Sequence, residues 1–170
     1  GRLPDRISQL FILKIEATMS VYKCKYFKIQ ELVCNHVMQS YSEEQIWSFL
    51  DEDLKKTLDI IREILGVPLT INQPKMKVYQ RGLRCHLCNL VQNNKTPYIT
   101  THIQGKAVDI LLPADCGMTA ESARHKVQES ADKLPCNIRF EHLQKGVPIS
   151  WVHVDVRDNE KDEKVYWFNV

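Results

Sequence analysis

The stretch Thr101-His102-Ile103-Gln104-Gly105-Lys106-Ala107-Val108-Asp109 places a histidine, a glycine and an aspartate within one short segment. A second stretch, Trp151-Val152-His153-Val154-Asp155, adds another histidine. Two imidazoles and one carboxylate are a common ligand set for a zinc ion that keeps its fourth position for water. The two stretches therefore predict that His102, Asp109 and His153 meet in the folded chain, and the rest of the fold is predicted around them.

Strand periodicity in the second stretch indicates which side chains face the predicted site. The valines of this run alternate with the other residues, so they take the core face and His153 points to the opposite face. A carboxylate at Asp109 is costly to bury unless a cation or hydrogen bonds compensate. Gly105 permits a tight turn between the first histidine and this aspartate. The spacing alone leaves two interpretations open: a metal site in a cleft, or a hydrogen-bonded strand histidine and a solvated aspartate at a strand edge.

Length and composition are those of an ordinary globular protein. The chain has 170 residues, 44% of them hydrophobic and 26% charged. We expect residues 1–18 to be a poorly ordered N-terminal extension and residues 19–170 to form a single domain. The net charge of +2 is too small to indicate a nucleic-acid partner. No apolar run approaches the roughly 20 residues of a transmembrane segment, and we expect no signal peptide.

The hydrophobic pattern predicts an α+β fold, with helices first and then a central antiparallel sheet that has one inserted helix. Helices are predicted at residues 26–38, at 120–133, and around an apolar stripe made of Leu54, Leu58, Ile61 and Leu65. Residues 41–49 are predicted to be a connector, and residues 73–97 a long loop along one wall of a cleft. Strands are predicted at residues 67–72, 98–101, 106–112, 137–142, 151–156 and 164–169.

A family resemblance is carried by the two ordered motifs. The string from Thr100 to Asp109 closely resembles the Ser-x-His-x-x-Gly-x-Ala-x-Asp motif of the zinc D-Ala-D-Ala carboxypeptidase and L-alanyl-D-glutamate peptidase family, with Thr100 in the place of Ser. The second stretch is similar to its Trp-Val-His-x-Asp motif. Arg81-Gly82-Leu83-Arg84-Cys85 with Cys88-Asn89, and Glu31-Leu32-Val33-Cys34, resemble a phage-type subgroup. The resemblance covers roughly residues 26–157.

The resemblance implies a fold that shares its architecture with Hedgehog signalling domains. It implies Zn²⁺ held by His102, Asp109 and His153, and hydrolysis of peptide bonds in bacterial cell-wall peptidoglycan, as in an endolysin or a D,D- or L,D-carboxypeptidase. Such an enzyme would be cytoplasmic on synthesis and would act at the cell wall if released. The alternative is a catalytically inactive, zinc-stabilised binding domain of the same fold.

The catalytic carboxylate departs from the family pattern, in which it lies a few residues before the last histidine. Here Ser150 and Val147 stand three and six residues before His153, and neither can act as a base. Glu141 is the nearest upstream acid and is our candidate for proton transfer, and the alternative is a surface charge paired with Arg139. Asp155 shares the face of His153 and either reaches the site or orients the imidazole.

An arginine in this family usually holds a substrate carboxylate or steadies the oxyanion. The resemblance favours Arg84 for this role, with Arg81 second, and the alternative for both is a solvated loop charge.

Six cysteines are present, and Cys85-His86-Leu87-Cys88 is their only Cys-x-x-Cys pair. A structural zinc would need two further ligands. We therefore expect reduced thiols, or a local disulfide in an oxidising setting, with a cysteine zinc ribbon in an unrelated fold as a third reading. His36, His125 and His142 have no partners at ligand spacing.

Overall fold

The computed structural model describes residues 20–97 and 99–170. The predicted extension at residues 1–18 lies outside the described residues, as do Met19 and Tyr98. The helices are α1 (Ile29–Leu32), α2 (Asn35–Ser40), α3 (Glu43–Phe49), α4 (Glu52–Leu65), α5 (Asn89–Gln92) and α6 (Ala120–Glu129), with 3₁₀ turns at Pro74–Met76 and Ala131–Lys133. The strands are β1 (Ala107–Ile110), β2 (Ile138–Gln144), β3 (Val147–Pro148), β4 (Val152–Asp155) and β5 (Val165–Asn169). The α+β class is confirmed.

The long helix α4 forms where the apolar stripe predicts it. Asp51 caps its start by accepting a hydrogen bond from the Asp53 backbone N–H at 2.9 Å, and Gly66 ends it in the left-handed conformation with φ of 71°. The stripe is buried, and α4 packs against α6. Among residues 20–97 and 99–170, no helix combines the length and the apolar character that crossing a membrane requires.

The prediction of one continuous helix at residues 26–38 is wrong. Two short helices, α1 and α2, replace it, because the chain between them pairs with a distant segment. Val33 forms a parallel bridge with Leu83, the Leu83 N–H donates to Leu32 O at 2.8 Å, and the Cys34 N–H donates to Leu83 O at 3.0 Å. These bonds require extended backbone at a point where the sequence pattern alone favours a helix.

The predicted connector at residues 41–49 is also wrong, since α3 occupies most of it. Ser42 and Gln45 form a capping box: the Gln45 backbone N–H donates to Ser42 Oγ at 3.4 Å, and the Ser42 N–H donates to Gln45 Oε1 at 3.1 Å. The Ser-x-x-Gln spacing is a helix-start signal, and Ile46 and Trp47 then bury the inner face.

Two predicted strands do not form. Residues 67–72 contribute a single antiparallel bridge, between Thr70 and Leu111, and no regular strand. Residues 99–101 are irregular, and the chain turns from Thr101 through Gly105 before β1 begins.

The sheet has the order β1-β4-β2-β3, and β5 also pairs with β2. The β1–β4, β2–β4 and β2–β3 pairings are antiparallel as predicted, whereas β5 runs parallel to β2. A tight turn at Lys145 and Gly146, with φ of 52° and 79°, joins β2 to β3.

One face of the sheet belongs to the core and the other carries polar groups. The core face consists of fully buried apolar side chains: Val108, Ile110, Ile138, Phe140, Val152 and Val154. Because side chains alternate along a strand, the intervening residues point to the opposite face. Register places Asp109 opposite His153 and Arg139 opposite Asp155 on that face. The functional candidates therefore share one surface of the sheet.

Candidate metal centre and cleft

The structure brings His102, Asp109 and His153 together, with ligand atoms that all lie within 4.8 Å of one another. Asp109 and His153 are direct partners across the β1–β4 ladder. His102 reaches them from the turn before β1, which closes through Gly105 with φ of 68°. A Cβ at Gly105 would lie 2.2 Å from Phe49 O, so only glycine fits there. Two nitrogens and a carboxylate in this arrangement can hold a metal ion.

His102 presents its Nε2 atom to the cluster. Its Nδ1 lies 3.0 Å from Gly82 O, and because a carbonyl only accepts, Nδ1 carries the proton and donates it. Nε2 is then 3.3 Å from Asp109 Oδ2. Burial lowers the pKa of His102. The imidazole is therefore neutral near pH 7 with a lone pair facing the carboxylate, as a metal ligand requires.

His153 is held between two carboxylates. Nδ1 lies 2.8 Å from Asp109 Oδ1, and Nε2 lies 3.2 Å from Asp155 Oδ2. Burial alone would lower the pKa of His153, but the hydrogen bonds to Asp109 and Asp155 outweigh it and raise the pKa to about 9. Nδ1 is the nitrogen that contacts Asp109, and Asp155 orients the ring through Nε2.

Asp155 is itself clamped by Arg139, whose Nε and Nη2 donate to its two oxygens at 2.8 and 2.9 Å. Asp155 is fully buried, and although burial opposes it, hydrogen bonds from His153 and Arg139 lower its pKa. It supports the imidazole, which was one of its two predicted alternatives. Arg139 was not predicted as a site residue; its position on the same strand face as Glu141 was the available signal.

Asp109 lies at the centre of the cluster. Burial would raise its pKa, but the contacts with His102 and His153, including the hydrogen bond from protonated His153, hold the pKa well below its usual range. Arg84 Nη2 donates to Asp109 Oδ2 at 3.1 Å and adds a positive charge. The carboxylate is thus ionised and buried, which is the state in which it binds a cation.

Glu141 lines the same cleft as His102, Asp109 and His153. It is 9% exposed, and its Oε1 is buried without a hydrogen-bond partner among the described residues. Burial raises its pKa. The hairpin β2–β3 returns the chain to β4, so an acid twelve residues before His153 reaches the cleft. An unpartnered buried carboxylate oxygen is uncommon in folded proteins, and it marks Glu141 as a candidate functional group.

Both predicted arginines line the cleft, which has a volume of about 720 Å³. Arg84 is buried, with Nε donating to Gln80 O at 2.6 Å in addition to its bond with Asp109. Arg81 is half-buried, and its guanidinium lies 5.8 Å from the centre of the Trp151 ring. The structure thus places Arg84 against a candidate ligand and Arg81 beside an aromatic wall.

A second cluster was missed by sequence reasoning. Cys34, His36, Cys85 and Cys88 bring their ligand atoms within 4.8 Å of one another. The expectation that His36 lacks partners is wrong, because the bridge between Val33 and the 81–88 loop carries it to the cysteines. A Cys-x-His pair upstream of a Cys-x-x-Cys pair was the signal in the sequence.

No protein-family model, no curated protein and no solved structure matches the chain.

Proposed function

We propose that this chain is a zinc-dependent peptidase that hydrolyses peptide bonds of bacterial cell-wall peptidoglycan. The hydrolytic part of the proposal is supported by Glu141, which lines the cleft that also contains His102, Asp109 and His153 and whose buried Oε1 has no hydrogen-bond partner within residues 20–97 and 99–170. A metal site with three protein ligands and an adjacent acid is the usual composition of a hydrolytic zinc centre.

The donor set fits zinc, since imidazole nitrogen and carboxylate oxygen are both ordinary zinc ligands. His102 Nε2, His153 Nδ1 and one oxygen of Asp109 would hold the ion. Zinc bound there would supply Lewis-acid polarisation of the scissile carbonyl and would lower the pKa of an attacking water toward neutrality.

Glu141 performs the proton transfers in this proposal. Its carboxylate accepts a proton from the attacking water and then donates it to the leaving amine. Burial raises its pKa, so the carboxylic acid persists long enough to protonate the amine. Gln at this position would keep the shape and lose the proton transfer.

The remaining polar groups orient the ligands. The Gly82 carbonyl fixes the tautomer of His102, and Asp155 fixes the ring of His153. Arg139 in turn holds Asp155 through two hydrogen bonds. Such partners keep the imidazoles in one orientation, so little reorganisation is needed when a metal binds.

Substrate recognition falls to the arginines and to Trp151. Peptidoglycan stem peptides carry free carboxylates, and arginine binds a carboxylate through two parallel hydrogen bonds. Arg81 stands at the cleft beside the aromatic ring, so it is placed to hold such a carboxylate. Arg84 supports Asp109 and adds positive charge near the reacting carbonyl. The choice of peptidoglycan rests on the two motifs, which resemble those of the D-Ala-D-Ala and L-alanyl-D-glutamate peptidases.

Digestion of purified peptidoglycan tests the proposal. Metal-free protein, the same protein reloaded with zinc, and a heat-denatured control are incubated with sacculi and with defined muropeptides, and products are identified by mass spectrometry. We expect cleavage by the zinc-loaded protein alone, with one new amine and one new carboxylate for each bond cut.

Intact muropeptides after incubation with fully zinc-loaded protein would contradict the enzymatic proposal. Co-sedimentation with sacculi under those conditions would then indicate the alternative, a binding domain without catalysis.

A further inference from the structure

We infer that the chain has a second metal site, in which Cys34, His36, Cys85 and Cys88 bind one structural zinc ion. This site lies outside the cleft and shares no residue with the His102–Asp109–His153 cluster. It has no part in bond cleavage; its role is to fasten the loop at residues 81–88 to the N-terminal helices.

The distances fit a tetrahedral zinc. Bond lengths of about 2.3 Å to sulfur and about 2.0 Å to nitrogen give an N···S edge of about 3.5 Å in a regular tetrahedron. His36 Nδ1 lies 3.5 Å from Cys85 Sγ and 3.9 Å from Cys88 Sγ. Three sulfurs and one nitrogen are one of the usual donor sets of structural zinc sites.

The backbone holds these four residues in place from two directions. Parallel pairing of Val33 with Leu83 aligns the segment of Cys34 and His36 with the loop. A turn in which the Cys88 N–H donates to Cys85 O at 3.0 Å brings the other two sulfurs together. Gly82 permits the close approach, since a Cβ there would lie 2.0 Å from Leu32 O. The site is therefore assembled by the fold itself.

The cysteines of the cluster are unbridged, so their sulfurs are available as ligands. The six cysteines of the chain are all free thiols, including the three in this cluster. Cys34 and Cys88 are buried, Cys85 is half-buried and His36 is exposed. A cluster with four ligands and two buried sulfurs leaves no open position, in contrast to the cleft.

The loop fastened by this cluster also supports the cleft. The Asp109 N–H donates to Arg81 O at 2.7 Å, and the Arg84 N–H donates to His102 O at 3.3 Å. The Gly82 carbonyl accepts from His102 Nδ1. Zinc at the cysteine cluster would thus limit the motion of the backbone that positions His102 and Asp109.

Zinc counting by elemental analysis tests the inference independently of catalysis. His153→Ala removes a ligand of the cleft, so this background isolates the second site. In it we expect one zinc per chain, none after Cys88→Ala, and one after the control Cys116→Ala, which removes a half-buried thiol outside the cluster. A folded Cys88→Ala protein that keeps its zinc, or iron in place of zinc, would overturn the assignment.

Two further readouts decide the matter if Cys88→Ala does not fold. His36 is exposed, so His36→Ala should fold while binding zinc at least about tenfold more weakly in chelator competition, and His36→Cys should restore the affinity. In the wild-type protein, zinc should protect Cys34, Cys85 and Cys88 from alkylation without protecting the other three thiols. Equal alkylation with and without zinc, or a disulfide within the cluster, would contradict the site.

Discussion

The two ligand clusters of this chain differ in donor type, in number and in access. The cleft cluster has two nitrogens and a carboxylate, all buried at the base of a cavity that also contains Glu141. The cysteine cluster has three sulfurs and one exposed histidine. Catalytic zinc sites keep an open position and structural ones fill all four. We therefore propose a catalytic role for the first cluster and a structural role for the second.

The surroundings of the two clusters differ as well. In the cleft, every ligand has a further partner: Gly82 O behind His102, Asp155 behind His153, and Arg84 beside Asp109. The cysteine cluster instead depends on backbone pairing between two segments about fifty residues apart. A catalytic metal site needs ligands held in a fixed orientation by neighbouring side chains. A structural metal site needs only that the fold bring its ligands close together.

The largest effect is expected from His153→Ala, which should remove zinc from the cleft and leave zinc at the cysteine cluster. His153→Ala should lower the rate of muropeptide hydrolysis by at least about 10³-fold, because the metal supplies several kcal/mol of transition-state stabilisation. The zinc content should fall by one ion per chain. The thermal unfolding midpoint should still drop when a chelator removes the zinc bound by the cysteine cluster. His125→Ala, an exposed histidine outside both clusters, is the matched control. Loss of both zinc ions in His153→Ala would show that the clusters are not independent.

Asp155→Asn should affect the cleft alone, because within the described residues a carboxylate orients a ligand of the cleft cluster and none contacts the cysteine cluster. We expect a loss of about 10- to 100-fold in zinc affinity at the cleft, measured by chelator competition. The cysteine cluster should be unchanged. An unaltered cleft affinity would mean that Asp155 serves only its ion pair with Arg139.

Arg81→Ala probes substrate binding at the loop that joins the two regions. The loss of one charged hydrogen bond should raise KM about tenfold and change kcat little. Lys126→Ala, an exposed cation on α6, controls for the change in net charge. A fall in kcat with constant KM would place Arg81 at the reacting carbonyl instead.

A smaller effect is expected from pH on the stability of the metal-free protein. His153 has a pKa of about 9 when folded, against an ordinary value of 6.5, so folding favours its protonated form. Its contribution to stability is complete below pH 6.5 and is lost as the pH rises toward about 9. The urea midpoint of stripped protein should therefore fall across this window. Zinc-loaded protein should show a smaller decline, because the metal replaces the proton on Nδ1.

Much of the cleft was predictable because its signals are local. The alternation around His153, the Gly105 turn before Asp109 and the apolar stripe of α4 each lie within a short window, and each short-range pattern led to the observed element. Glu141 was predictable as a candidate, but its approach to the cleft depends on the β2–β3 hairpin.

The rest of the molecule depends on non-local pairing, which no window of sequence contains. The Val33–Leu83 bridge splits the predicted first helix and brings His36 to the cysteines. The parallel addition of β5 beside β2 likewise follows from the path of the last loop and not from any local pattern. The capping box at Ser42 is the exception, a local signal that a polar composition obscured.

Hydrolysis by Glu141→Gln protein, assayed together with its zinc content, tests the central claim most directly. Gln keeps the size and shape of the side chain but cannot carry the transferred proton. The account predicts a full zinc complement, a wild-type unfolding midpoint and muropeptide cleavage slowed by about 10³-fold, with Glu129→Gln on α6 unaffected. Cleavage by Glu141→Gln at the wild-type rate would contradict it.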